Sequence, residues 1–210
     1  MTERPLPLPD DAAPGTAVAV PLPAVRSSRA ADLALVTTFA AFIAACAVLP
    51  AIPVGLAVPL TLQTFAVMLA GLVLGPRRGA AAVALYLVVG LAGLPVFAGG
   101  AAGPAVLAGA SAGYLLAFVP AAALAGWLGR RAYRVRTARK VPALAGAATA
   151  ATLLVVTPIG VAVMGWRLAL GPLEAITAGA VFLPGDLIKN VLAALVAVAV
   201  VRAFPDLVRR

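Results

Sequence analysis

Residues 33–201 form a succession of continuous apolar blocks, separated by short links that hold nearly all of the charge in that region. Such a chain has few options. An α-helix crosses the hydrocarbon of a bilayer in about 20 residues while satisfying its own backbone hydrogen bonds, so blocks of this length fold as membrane-spanning helices. A barrel of strands would show apolar residues with a period of two, and here they arrive in runs. Composition agrees: 63% of the 210 residues are hydrophobic and 11% charged, with a mean hydropathy of +1.09. A soluble domain is about half apolar and a quarter charged. The chain reads as an all-α integral membrane protein.

Six spans fit the blocks: residues 33–49, 60–74, 79–94, 111–128, 142–164, and a last segment from about 175 to 201 whose firmly helical part starts at Asp186. Lysine and arginine gather on the cytoplasmic flanks of such helices. Arg4, Arg26 and Arg29 precede the first span, and Arg77 and Arg78 lie in the second link. Arg130, Arg131, Arg134, Arg136, Arg139 and Lys140 fill the fourth link, and Arg202, Arg209 and Arg210 follow the last span. All but two of the 16 basic residues therefore share one side, the exceptions being Arg167 in the fifth link and Lys189 within the last span. A six-helix bundle with both termini cytoplasmic is expected, since an odd span count would put the C-terminal arginines outside. The net charge of +9 is then a consequence of topology and calls for no nucleic-acid partner. The stretch RRAYRVRTARK, residues 130–140, reads as a cytoplasmic loop meeting anionic lipid.

Residues 1–30 are rich in proline and alanine and lack the basic and then apolar regions of a secretory signal. They read as a disordered cytoplasmic tail before a membrane domain at 31–205 and a short basic end at 206–210. Their proline spacing suits a spacer better than a polyproline ligand. A single cysteine, Cys46, and no histidine exclude a disulfide framework, a Cys/His zinc site and a histidine-based triad, so no metal is expected. No GxxxxGK[ST] stretch occurs. If ATP drives this protein, another chain binds it.

The last apolar block opens on FLPGDLIKN, residues 182–190. An ionised Asp186 or Lys189 in the bilayer costs roughly 2.5–3.5 kcal/mol each on insertion scales, so the two need compensation. Spaced i, i+3, they share one helix face. Counting back from Val201 at 1.5 Å per residue puts them about 22 and 18 Å from the inner end, within the outer half of a core about 30 Å thick. Two readings follow. Asp186 caps the helix and pairs with Lys189 structurally, or the pair serves a solute that presents hydrogen-bond donors to Asp186 and an anionic group to Lys189.

A second polar cluster, VPLTLQTF at 58–65, opens the second span. Thr61 and Thr64 suit backbone capping, whereas the primary amide of Gln63 both donates and accepts and would suit a cyclic urea or amide. Tyr86 lies in the third span. Phe97, Gly99, Gly100, Gly103, Ser111 and Tyr114 fall on the external side, where aromatics are often belt residues and glycines often turns. In the first span, Ala40 and Ala44, and Ala41 and Ala45, have small-xxx-small spacing; they form a docking face, or the chance pattern of an alanine-rich chain.

Taken in order, these segments resemble the BioY family, the substrate-binding (S) components of energy-coupling-factor (ECF) biotin transporters. The resemblance runs over residues 33–204. It is carried by VPLTLQTFAVMLAGLVLGPRRGAAAVALYLVVGLAGLPVF (58–97), AGASAGYLLAF (108–118) and LPGDLIK (183–189). Where the family usually shows a GPTGGY-like stretch, this chain has GASAGY at 109–114, which keeps the hydroxyl at Ser111 and loses the stiffness of the proline.

The resemblance implies a six-helix bundle that captures biotin from outside, in a cavity under its external loops, and performs no bond chemistry. Asp186, Lys189, Gln63, Tyr114, Phe97, Ser111 and Tyr86 are the binding candidates it supports. Implied partners are a transmembrane coupling (T) component, docked on the alanine face of the first helix, and two cytoplasmic ATPases that use the ATP. No cofactor would be bound by this chain, and the setting would be the cytoplasmic membrane of a prokaryote. Rival readings of the same residues are a stand-alone proton-coupled transporter of a small anionic nutrient and a non-transporting membrane scaffold.

Overall fold

The protein is described by a computed structural model over residues 29–49 and 58–209, and among these it is helical with connecting turns and no sheet. Residues 1–28 of the expected tail, 1–30, and most of the first external link, 50–57, lie outside the described residues; the last two residues of that tail, 29 and 30, are helical.

Helix α1, Arg29–Val48, starts four residues before the expected span, with Asp32 in the first turn where the helix dipole favours an acid. Helix α2, Gln63–Leu91, is two helical arms joined at Gly75, where the chain breaks direction with φ 80° and ψ −178°. Pro76 forces this break: its ring pushes the preceding residue out of the α region, and glycine alone occupies the resulting conformation without strain. A straight helix would separate Gln63 and Tyr86 by about 34 Å. Gln63 Nε2 instead donates to the Tyr86 hydroxyl at 2.6 Å. The two arms, 63–74 and 76–91, therefore run antiparallel, with LGPRRG as their turn. They pack backbone to backbone, since a Cβ on Gly79 would lie 2.8 Å from Gly71 Cα and one on Gly126 of α3 would lie 2.6 Å from Pro76 N.

Two short 3₁₀ turns, Ala98–Gly100 and Pro104–Ala108, lead to α3, Ala112–Ala132. Next come α4, Lys140–Ala151, a π turn at Thr152–Val156, and α5, Thr157–Arg167, which together make one pass. The π turn accommodates Pro158, which has no N–H to give the carbonyl four residues back.

The last segment, expected from about 175 to 201 with its firmly helical part starting at Asp186, is two helices, and the second starts three residues earlier than expected. A separate helix α6, Pro172–Ala180, precedes α7, Leu183–Ala203. The Pro184 ring would strike the Ala180 carbonyl of a continuing helix, so α6 ends there and α7 restarts with Pro184 in its first turn, where a missing N–H costs nothing. A short α8, Asp206–Arg209, follows.

Among the described residues five helices are long and apolar enough to cross a membrane, and one of them, α2, is folded in two. Fully buried alanines, among them Ala66, Ala70, Ala82, Ala121, Ala122, Ala193 and Ala194, bring the helices close. Leu154, Ile188 and Val88 point outward. Charge is segregated by end. Arg130 abuts the Gly75 turn, Arg78 Nη2 pairs with Asp32 at 2.9 Å, and Tyr133 and Leu207 close the same end. At the opposite end Arg167 Nη2 donates to the Leu107 carbonyl at 3.0 Å.

Candidate functional site

The end away from the arginines holds a cavity of about 260 Å³. The start of α2, the link from Phe97 to Ser111, the first turns of α3 and the start of α7 enclose it. Six of the seven residues singled out from sequence line it: Gln63, Phe97, Ser111, Tyr114, Asp186 and Lys189.

Asp186 and Lys189 are each 7% exposed, and Lys189 Nζ donates to Asp186 Oδ1 at 3.0 Å. The pair is thus formed within the cavity, as the structural reading expected. The capping half of that reading is corrected. Because α7 begins at Leu183, Asp186 sits one turn inside the helix; its side chain makes no cap, and its own N–H donates to the Phe182 carbonyl at 2.9 Å. The internal bond occupies one of three Lys189 donors and one Asp186 oxygen.

Gln63, the first residue of α2, is held at both ends of its amide. Its Oε1 accepts from Thr61 Oγ1 at 3.1 Å, its Nε2 donates to Tyr86 at 2.6 Å, and its backbone N–H donates to Thr61 Oγ1 at 3.3 Å. Thr61 lies one residue before the N-cap Leu62, so it takes the first N–H of α2 without being the cap expected of it, and it also lines the cavity. One N–H of the Gln63 amide stays free for a ligand. Tyr86 is the exception among the candidates: it is 1% exposed and lies behind the wall, bonded to Gln63 and edge-on to Phe97 with ring centroids 5.4 Å apart.

Tyr114 contributes a ring packed edge-on to Phe182 at 5.7 Å. Its hydroxyl is buried with no hydrogen-bond partner among the described residues. Phe118, Leu115 and Phe182 also line the cavity and were not singled out. Phe118 and Leu115 were legible, since 111, 114, 115 and 118 fall on one face of a helix. Phe182 became a wall only through the break before α7. Asn190 also escaped notice. It is fully buried beside Lys189, and its Nδ2 donates to Thr152 Oγ1 at 3.1 Å, tying α7 to the π turn. Of the four alanines singled out in α1, Ala41 and Ala45 are exposed, Ala44 is half-buried and Ala40 faces the core. No cluster of three or more metal-ligating side chains occurs among the described residues.

The arrangement offers a carboxylate, an ammonium and an amide around an aromatic box, which suits a small ligand with a polar head, an apolar middle and an anionic group. The family model for the BioY family matches residues 19–206. A biotin transporter BioY of Rhizobium etli is 38% identical over 182 residues, covering 85% of this chain and 97% of its own. One of Rhodobacter capsulatus is 38% identical over 187 residues, covering 83% and 95%. Among solved structures, the S-component for biotin from an ECF-type ABC transporter superposes with a TM-score of 0.71 at 28% identity, covering 80% of this chain and 89% of that one. The chain belongs to the BioY family.

Proposed function

We propose that this protein takes up biotin, acting as the biotin-binding S component of an ECF-type transporter. The observation that carries the reading is the charged and aromatic cavity at one end of a BioY-family bundle. Biotin offers two ureido N–H donors to the Asp186 carboxylate, a thioether ring to the aromatic walls of Phe97, Tyr114 and Phe182, and a carboxylate to Lys189. Lys189 would then exchange the Asp186 carboxylate for that of biotin, and Asp186 would exchange the Lys189 ammonium for two neutral N–H donors, so each buried charge keeps hydrogen-bonding partners. The cavity, about 260 Å³, lies just below the usual range of about 300–1,000 Å³ for ligand sites, in keeping with a small, vitamin-sized solute. The relatives are named as transporters, and the role proposed is transport without bond chemistry.

In this reading the arginine-rich end faces the cytoplasm of a prokaryotic cell and the cavity faces outward. The exposed small residues of α1, Ala41 and Ala45, dock on a transmembrane coupling component, and two ATP-binding subunits supply the energy.

The test is calorimetry of biotin on the purified chain in detergent, with Asp186→Asn and Lys189→Ala alongside. Each substitution strands a buried charge, and binding is expected to weaken by at least 100-fold while the protein still elutes as a single species. A folded wild-type protein that binds no biotin would sink the reading and return the pair to a structural role. Binding that survives both substitutions would move the site elsewhere.

A further inference from the structure

Two of the aromatic walls of the cavity, Phe97 and Tyr114, rest on glycines that the binding candidates do not include. A Cβ built at Gly90, in the second arm of α2, would clash with the Phe97 ring, its nearest neighbours being ring atoms Cζ, Cε2 and Cε1. A Cβ at Gly160 of α5 would clash with the Tyr114 ring, against Cε1, Cδ1 and Cζ. Ordinary helix-packing glycines in this bundle look different: at Gly71, Gly79 and Gly126 the nearest atoms belong to backbone. Each ring is held from a second direction by another aromatic, Phe97 by Tyr86 at 5.4 Å and Tyr114 by Phe182 at 5.7 Å. Both rings also line the cavity, so a ring lifted off its glycine can move into it.

We infer that Gly90 and Gly160 are positioning residues for the ligand site: they are seats that fix how far the Phe97 and Tyr114 rings protrude and so set the width of the cavity. The hydroxyl of Tyr114 travels with its ring. It is buried and unpartnered in a cavity that also holds Asp186 and Lys189, so a displaced ring alters the polar lining as well as the width. Two methyl groups placed outside the ligand's reach would act on binding through the rings they move. The inference rests on the biotin reading for its choice of ligand.

The protein contains three tyrosines, Tyr86, Tyr114 and Tyr133, so fluorotyrosine labelling gives three ¹⁹F resonances, assignable by Tyr→Phe substitutions. In the ligand-free protein, Gly160→Ala is expected to shift the Tyr114 signal, and Gly90→Ala the Tyr86 signal through displaced Phe97. Tyr133, at the far end, serves as the unmoved control. In calorimetry each variant should bind biotin at least tenfold more weakly. Gly160→Ala should change affinity by less than twofold once Tyr114→Leu has removed the ring, a non-additivity that a general loss of stability would not produce.

Unmoved resonances, unchanged affinity, or an equal loss with and without the Tyr114 ring would each overturn the inference. If the wild-type protein binds no biotin but the resonances move as expected, the biotin reading fails and the seats stand.

Discussion

Tyr86 shows what sequence can and cannot reveal about a single residue. A tyrosine in the middle of an apolar span is legible as a functional candidate, but whether it points into a cavity or supports one depends on how two helices pack. Here it supports: its hydroxyl takes the 2.6 Å bond from Gln63, and its ring backs Phe97. Tyr86→Phe should leave a buried amide N–H without its acceptor, at a cost of about 1–3 kcal/mol. For a chain of this size that lowers the unfolding midpoint by roughly 2–4 °C per kcal/mol, readable by thermal unfolding in detergent. Biotin affinity should fall by about tenfold, equivalent to about 1.4 kcal/mol, because Gln63 loses the contact that orients it. An unchanged midpoint would mean that the amide finds another partner. Asp186 and Lys189 were legible for a simpler reason: charge in an apolar block is costly wherever the helix begins, so the signal survived an error of three residues in its start.

At the scale of elements, proline decided most of what sequence reading got right and wrong. LGPRRG was readable as a link because it interrupts two apolar runs, and Pro76 with Gly75 turns that link into a hairpin with no loop at all. The same chemistry at Pro184 divides α6 from α7, and this division was missed because the apolar run continues through it. Periodicity sees the burial pattern and not the single absent N–H. Gly75→Ala puts a side chain into a conformation open almost only to glycine, a strain of about 1–3 kcal/mol, and brings its Cβ to 2.9 Å from Arg130 Nε. The expected result is a lower unfolding midpoint, with any loss of biotin binding following from loss of fold. If Gly75→Ala unfolds at the wild-type temperature, the turn is not under the constraint that its dihedral angles imply.

For the whole molecule, charge segregation was fully legible, because counting arginines needs no knowledge of packing. Which end faces the cytoplasm is checked by cysteine labelling in a Cys46→Ala background. Ala105→Cys, at the cavity end, should react with a membrane-impermeant maleimide on intact cells, and Thr137→Cys, at the arginine end, only after permeabilisation; the reverse pattern would invert the topology. Less legible was the face of α1 left for a partner, since small-xxx-small spacing fits both pairs of alanines. Burial separates them: Ala40 is 6% exposed against the core, whereas Ala41 and Ala45 are on the outside. A bulky side chain at Ala41 should therefore spare the bundle and its cavity while blocking close approach of another helix. Ala41→Trp is expected to bind biotin as wild type does in calorimetry, yet to abolish biotin uptake in cells supplied with the coupling component and its ATPases. Ala40→Trp, which overpacks the core, should lose both. If Ala41→Trp transports normally, the partner docks on another face and the exposed alanines of α1 meet only lipid.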